Sequence, residues 1–72
     1  MRNDLLLKLG LKIRYERMKK NLSQEDLAEL VALSPTSISS IETGISNLKF
    51  LSLYKIAKAL DLNLGDFSDF KL

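Results

Sequence analysis

Residues 23–44 have the sequence SQEDLAELVALSPTSISSIETG and carry the start signals of two short helices. Ser23 can cap the first helix, because its hydroxyl can accept a backbone N–H of the first turn that has no partner within the helix. Ser34 can cap the second helix, and Pro35 follows at the first helical position. Proline has no N–H, and this is no loss there because the helix has no partner for an N–H at that position. Gly44 is suited to end it, since glycine adopts the left-handed conformation without strain. Two helices joined by a short turn are therefore predicted.

Helices are also predicted on both sides of this pair, because apolar residues recur there at helical spacing. The first helix spans about residues 4–20, the fourth spans about 49–60, and a short fifth begins near Asn63. The predicted fold class is all-α, with five helices in a single domain over residues 1–72. The pair within residues 23–44 is predicted to form a helix-turn-helix, although periodicity alone also allows an ordinary helical hairpin within a bundle.

The same spacing predicts which side chains form the core. The buried faces are expected to carry Leu6, Leu9 and Ile13 of the first helix, Leu27, Ala28 and Leu30 of the second, Ile38 and Ile41 of the third, and Phe50, Leu53, Ile56, Ala57 and Leu60 of the fourth. Each helix therefore has one apolar face and one polar face, which is the pattern of a small helical domain.

Several apolar residues remain outside these faces. Leu51 and Tyr54 lie one turn apart and off the main stripe of the fourth helix, and others crowd the C-terminus. A core of this size cannot cover them all, and exposed apolar patches commonly mark an interface. Part of this set could instead fold back on the first helix. The predicted dimer surface consists of Leu51, Tyr54, Leu62, Phe67 and Phe70.

The composition disfavours an enzyme or a membrane protein. The chain has no histidine and no cysteine, and its three glycines are isolated rather than grouped in a phosphate-binding loop. Its nine acidic residues are scattered, with none paired beside a nucleophile. No apolar run approaches the roughly 20 residues that cross a bilayer, and no signal-peptide pattern opens the chain. We expect a cytoplasmic protein with no catalytic activity, metal, cofactor, membrane attachment or small-molecule ligand.

The excess of basic over acidic residues lies mainly in the first segment, which contains the first helix. The chain has a formal net charge of +2, which is too small to indicate a nucleic-acid partner by itself. Residues 1–20 contain seven Lys or Arg and two Asp or Glu, whereas residues 21–48 contain four acidic residues and no Lys or Arg. The third helix is therefore predicted to have no basic side chain.

Many positions match one known family in order, over about residues 9–67. They are Leu9-Gly10, Ile13-Arg14, Arg17, the run from Leu22 to Ala28, Leu33-Ser34, Ile38-Ser39, Ile41-Glu42, Gly44, Leu53, Ile56-Ala57 and Ala59-Leu60. With these residues the chain resembles the Cro/C1-type, or Xre-like, helix-turn-helix family. The resemblance implies a five-helix, lambda-repressor-like fold. It also implies a transcriptional regulator that binds pseudo-palindromic operator DNA as a homodimer through the major groove.

The resemblance also implies a subgroup and roles for single residues. The small size and the residues Asn47-Leu48, Leu53 and Ile56-Ala57 are similar to controller proteins of restriction–modification systems. Gln24 and Lys49 occupy positions at which the family contacts DNA phosphates. Arg17 and Glu42 occupy positions that often form a buried ion pair between the first and third helices, with a structural role.

The outward face of the third helix is expected to meet the base edges. Thr36 and Ser40 are one turn apart and opposite Ile38 and Ile41. Hydroxyls can donate to or accept from several base edges, and the Thr36 methyl group can pack on a thymine methyl. The full set of predicted DNA-binding residues is Gln24, Ser34, Pro35, Thr36, Ser37, Ser39, Ser40 and Lys49.

The chain departs from the family in two regions. Ala32 stands in the turn where glycine is common, and alanine costs roughly 1–2 kcal/mol if the left-handed conformation persists there. Ile45 and Ser46 stand where a basic residue is common, and Leu48 stands where proline is common. A third helix without basic residues weakens DNA binding by a single subunit. The alternative function is therefore a protein-interaction module, an antitoxin or a bridging factor, with the same fold.

Overall fold

A computed structural model describes residues 4–45 and 48–67 of the chain. Over these residues it contains four α-helices and one 3₁₀ helix: α1 (Asp4–Lys19), α2 (Gln24–Val31), α3 (Pro35–Glu42), α4 (Phe50–Ala59) and the 3₁₀ helix Leu64–Phe67. The all-α prediction is confirmed, with α2 and α3 as the helix-turn-helix. No helix in this part of the chain is long and apolar enough to span a membrane.

The fifth predicted helix is a single 3₁₀ turn, which corrects the expected count of five α-helices. The N–H of Asp66 donates to the carbonyl oxygen of Asn63 at 2.9 Å, and the N–H of Asn63 donates to the Asp66 carboxylate at 2.8 Å. A segment this short forms too few bonds to offset the cost of nucleating an α-helix. The element lies where the sequence predicted it, in the tighter helical form.

Both helices of the helix-turn-helix begin at the predicted caps. Ser23 Oγ accepts the N–H of Asp26, and the Asp26 carboxylate accepts the N–H of Ser23, each at 2.9 Å. The backbone N–H of Ser23, followed by its hydroxyl, holds the pKa of Asp26 below its ordinary value of 3.8 because both stabilise the carboxylate. Ser34 Oγ accepts the N–H of Ser37 at 3.1 Å. These contacts satisfy N–H groups that the helices themselves leave unpaired.

All four α-helices end in the same way. A residue with positive φ follows each of them: Asn21 at 58°, Ala32 at 59°, Gly44 at 73° and Asp61 at 58°. The next residue is apolar each time and donates its N–H to a helical carbonyl, over distances of 2.8 to 3.2 Å: Leu22 to Arg17, Leu33 to Ala28, Ile45 to Ser40 and Leu62 to Ala57. This is the Schellman motif. Alanine at the left-handed position has neither the freedom of glycine nor a polar side chain for local bonding.

The core lies between the four α-helices. Its fully buried large side chains are Ile13, Leu27, Ile38, Ile56 and Leu60. All five were expected from helical spacing. The close fit of the helices therefore depends on branched aliphatic side chains, which have few rotamers and pack densely.

Two other residues expected in the core are exposed. Leu30 is 61% exposed, because α2 turns Leu27, Ala28 and Val31 inward and leaves Leu30 on the solvent side. Phe50 is 71% exposed, because it is the first residue of α4 and precedes the turns that pack on the core. Both predictions failed for the same reason. Helical periodicity gives the spacing of buried residues along a helix but not where the buried face of that helix ends.

Glycine lets α1 approach the end of α3 closely. A methyl group on Gly10 would overlap the carbonyl oxygens of Ile41 and Glu42. A methyl group on Gly44 would meet the backbone of Leu7. The two backbones are therefore in direct contact, and this contact fixes the position of the end of α3 along the axis of α1.

Replacing Ala32 by glycine is expected to stabilise the protein by about 1 kcal/mol, because glycine relieves the left-handed strain and loses only part of that gain to chain entropy. The free energy of unfolding in urea measures the effect. The comparison is Ala59→Gly in the last turn of α4, where there is no left-handed strain to relieve and the same change should destabilise the protein. Equal losses in the two variants would contradict the strain assigned to Ala32.

Candidate nucleic-acid interface

The outward face of α3 carries hydroxyl groups and no charge. Ile38 and Ile41 are buried, so the opposite side of the helix presents Thr36, which is exposed, and Ser40, which is half-buried. Neither of these two hydroxyls has a hydrogen-bond partner within residues 4–45 and 48–67. Glu42 is the only charged residue of α3, and it is 3% exposed. This face can therefore approach a polyanion without charge repulsion and with its hydroxyls available.

Other predicted residues of α3 are engaged in holding the helix. Ser34 Oγ accepts the backbone N–H of Ser37 and also donates to Ser37 Oγ, at 2.9 Å. Pro35 occupies the first helical turn and is exposed. Ser39 is half-buried, and its carbonyl oxygen accepts the hydroxyl of Thr43 at 2.9 Å. The hydroxyls of Ser34 and Ser37 are thus engaged at the start of the helix, whereas Ser39 takes part through its backbone carbonyl only.

A buried ion pair ties α3 to α1. Arg17 Nε donates to Glu42 Oε2 at 2.6 Å, and Arg17 Nη2 donates to Glu42 Oε1 at 3.2 Å. Arg17 Nη1 also donates to the carbonyl oxygen of Leu22 at 2.6 Å. The side chains of Arg17 and Glu42 are 10% and 1% exposed. Two parallel bonds between planar groups fix orientation as well as distance, so the end of α3 has a set position relative to α1 and the loop before α2.

Gln24, at the first position of α2, belongs to the same network. Its Nε2 donates to Glu42 Oε1 at 3.1 Å, a contact that the sequence did not predict. The amide nitrogen carries a second hydrogen, which can be donated outside the network. The start of α2 also offers backbone N–H groups and the positive end of the helix dipole, which favour an anion. A phosphate bound here would therefore be coupled to the position of α3.

A groove of about 340 Å³ separates α3 from the start of α4. It brings together four predicted DNA-binding residues: Thr36, Ser37, Ser40 and Lys49. Lys49 is exposed and precedes α4 without a side-chain capping bond. Sequence reasoning missed the remaining lining residues, which are Leu33, Ile41, Leu48 and Ser52. Only the position of Ser52 in the first turn of α4 could have indicated its place beside Lys49.

The predicted dimer residues lie on α4 and after it. Leu51 and Tyr54 are 62% and 43% exposed. Leu62 is half-buried and lines a groove of about 240 Å³ together with Tyr54, Ala57, Lys58, Asn63 and Leu64. Phe67 is the last residue of the 3₁₀ helix, and Phe70 lies outside the described residues.

These features define a class of protein. The second helix of a helix-turn-helix presents neutral hydroxyls, and the start of α2 offers the positive end of its dipole and the Gln24 amide, which suit a DNA-binding module. The class is that of helix-turn-helix transcriptional regulators, a class of DNA-binding proteins rather than enzymes.

The chain belongs to the helix-turn-helix family, whose model matches residues 13–67. It is 42% identical over 71 residues to control protein C.BamHI of Bacillus amyloliquefaciens, covering 97% of this chain and 88% of that protein. The restriction-modification controller protein C.AhdI of Aeromonas hydrophila superimposes with a TM-score of 0.82 and 35% identity, covering 86% and 90% of the two chains. A variant of the restriction-modification controller protein C.Esp1396I superimposes with a TM-score of 0.86 and 38% identity. The match covers 96% of this chain and 87% of that chain.

These comparisons confirm the resemblance drawn from the sequence, both to the Cro/C1-type family and to controller proteins. The protein is a DNA-binding transcriptional regulator. Of the two functions expected from the sequence, the comparisons support this one rather than the protein-interaction module.

Replacing Glu42 by alanine is expected to destabilise the protein by roughly 3–5 kcal/mol, because it leaves the buried Arg17 guanidinium without its partner. Urea unfolding measures the loss. The control is Lys20→Ala, which removes the solvent-exposed pair with Asp61 and should cost at most about 1 kcal/mol. A loss from Glu42→Ala no larger than that of the control would show that the pair does not hold α3.

Proposed function

We propose that this chain is a homodimeric controller protein that regulates transcription of restriction–modification genes from a pseudo-palindromic operator. The observation that carries the proposal is the neutral hydroxyl face of α3, held against α1 by Arg17 and Glu42. Such a face can enter the major groove, where hydroxyls meet base edges. The names of the relatives C.BamHI and C.AhdI support the restriction–modification part.

The proposed contacts fall into two groups. Thr36 and Ser40 meet base edges, since their hydroxyls have no partner among the described residues, and they are flanked by Pro35, Ser37 and Ser39. Phosphates are bound by Gln24 through its second amide hydrogen, by Lys49 and by the start of α3 at Ser34. Phosphate contacts set the register of the protein on DNA, and base contacts select the sequence.

The proposal requires two copies because one α3 contributes no cation. Phosphate neutralisation supplies much of the affinity of DNA-binding proteins, so a second subunit doubles a weak set of contacts. Leu51 and Tyr54 present an apolar surface beside the groove that Leu62 lines, and a two-fold axis would bring that surface against itself. The two α3 helices then enter successive major grooves about 34 Å apart. A cytoplasmic location, which this function needs, stays a prediction.

Thr36→Ala and Ser40→Ala are each expected to weaken operator binding by about 1–3 kcal/mol and to relax the preference at one position of each half-site. Gln24→Ala should weaken binding to all sequences about equally, because phosphates carry no base identity. Competition between operator variants, at one salt concentration, measures both patterns. If neither hydroxyl variant changes affinity or preference in a folded dimer, α3 does not select the sequence and the protein-interaction alternative gains support.

Leu51→Lys and Tyr54→Lys are expected to shift the protein from dimer to monomer, since a charge on an apolar interface must be desolvated. Sedimentation measures the shift. Operator affinity should fall with it, although the added positive charge alone would favour DNA. Leu30→Lys is the matched control, because Leu30 is 61% exposed and lies on α2 rather than on α4. A monomer in the unaltered protein, both free and on DNA, would contradict the proposal.

The regulatory part is tested by selecting bound fragments from the genome that encodes the protein. Fragments that survive competitor DNA and moderate salt are expected to lie beside restriction and modification genes, because specific binding loses less to competitors than non-specific binding does. If the selected fragments share a palindrome but lie beside other genes, the proposed binding to a palindromic operator stands. The proposed link to restriction–modification genes is then refuted.

A further inference from the structure

The groove between α3 and α4 has an apolar floor that the proposed contacts do not use. Hydroxyls and an ammonium group form one part of its lining, and the rest consists of three aliphatic side chains, which are called the floor below: Leu33, Ile41 and Leu48. Leu33 and Leu48 both pack against the hydrophobic core. The floor is therefore preformed, and a ligand group that enters it need not order these side chains.

The composition of α3 restricts what this protein can read. Guanine is selected most strongly by Arg or Lys, and adenine by Asn or Gln. The segment Pro35–Glu42 contains none of these residue types. Hydroxyls remain, and they accept several base edges. The one apolar feature that bases present in the major groove is the 5-methyl group of thymine.

Thr36 and Ser40 belong both to the outward face of α3 and to the lining of this groove. A base edge that meets these two residues therefore lies beside the groove. Thr36 also carries a methyl group, which adds an apolar group to the side chains that line it. The groove volume of about 340 Å³ leaves ample room for a methyl group and the adjoining edge of a pyrimidine ring.

We infer that this groove receives the 5-methyl group of a thymine, and that each operator half-site has a thymine at that place. The inference rests on the proposed function and adds the base that α3 selects. Removing an apolar group from water contributes about 0.8 kcal/mol for each methylene-sized unit, which corresponds to about a fourfold change in affinity. Two half-sites together give about a 15-fold change, since the two contacts are far apart and additive.

The test replaces each thymine of a selected operator by uracil, one symmetric pair of positions at a time. Uracil lacks only the methyl group and keeps every hydrogen-bonding atom. Uracil at one pair of positions is expected to weaken binding by about 15-fold, and at the other positions to have little effect.

A substitution in the protein, combined with the uracil substitution in the DNA, tests whether the groove is the site of this effect. Thr36→Ser removes one methyl group from the protein and keeps the hydroxyl, so it should lower the ratio of thymine to uracil affinity at that same position. Thr43→Ser is the matched control. Thr43 does not line the groove, and its hydroxyl is bonded to the carbonyl oxygens of Ser39 and Ser40. The control should leave the ratio unchanged.

Three results would overturn the inference, and they have different consequences. If the unaltered protein binds its operator specifically and uracil at every position has no effect, the groove holds no thymine methyl group, and the proposed function stands. If the protein shows no sequence preference on any DNA, the proposed function fails and the inference fails with it. An equal fall in the ratio for Thr36→Ser and Thr43→Ser would place the thymine contact outside the groove.

Discussion

The bidentate pair between Arg17 and Glu42 is the interaction on which the position of α3 depends. It joins the last turn of α1 to the last turn of α3, and the Arg17 guanidinium also binds the carbonyl oxygen of Leu22 before α2. A charge buried in this way must be paired, because an isolated ion in the interior loses its hydration. The pair therefore permits essentially one arrangement of the two helices, which the close approach at Gly10 also requires.

The same pair decides the electrostatics of the outward face. Glu42 is the only charged residue of α3, and its burial against Arg17 leaves that face neutral. Affinity for a polyanion must then come from other places: the starts of α2 and α3, the exposed Lys49 and a second subunit. Selectivity must come from hydroxyls and shape, which discriminate bases less sharply than Arg or Asn does. Gln24 links these two requirements, since it contacts Glu42 and also lies at the start of α2.

Local signals were the most reliable guide to the secondary structure. The starts at Ser23 and Ser34 and the left-handed stop at Gly44 each depend on bonds that reach only a few residues along the chain. The predictions that failed were those of burial, which depends on residues far apart in the sequence. Phe50 has the spacing of a core residue, yet α4 begins beyond the packed region, and only the placement of the other helices determines where that region ends.

Four helices, the caps at Ser23 and Ser34, the stop at Gly44, most of the core and the resemblance that pointed to Arg17 and Glu42 all came from the sequence. Tertiary structure alone decided that Gln24 joins that pair and that the lining of one groove runs from Leu33 to Ser52. The physical reason is the range of the interactions. Caps and helical periodicity act over one or two turns, whereas a groove exists only once α3 and α4 have packed at a particular angle, and no local pattern encodes that angle.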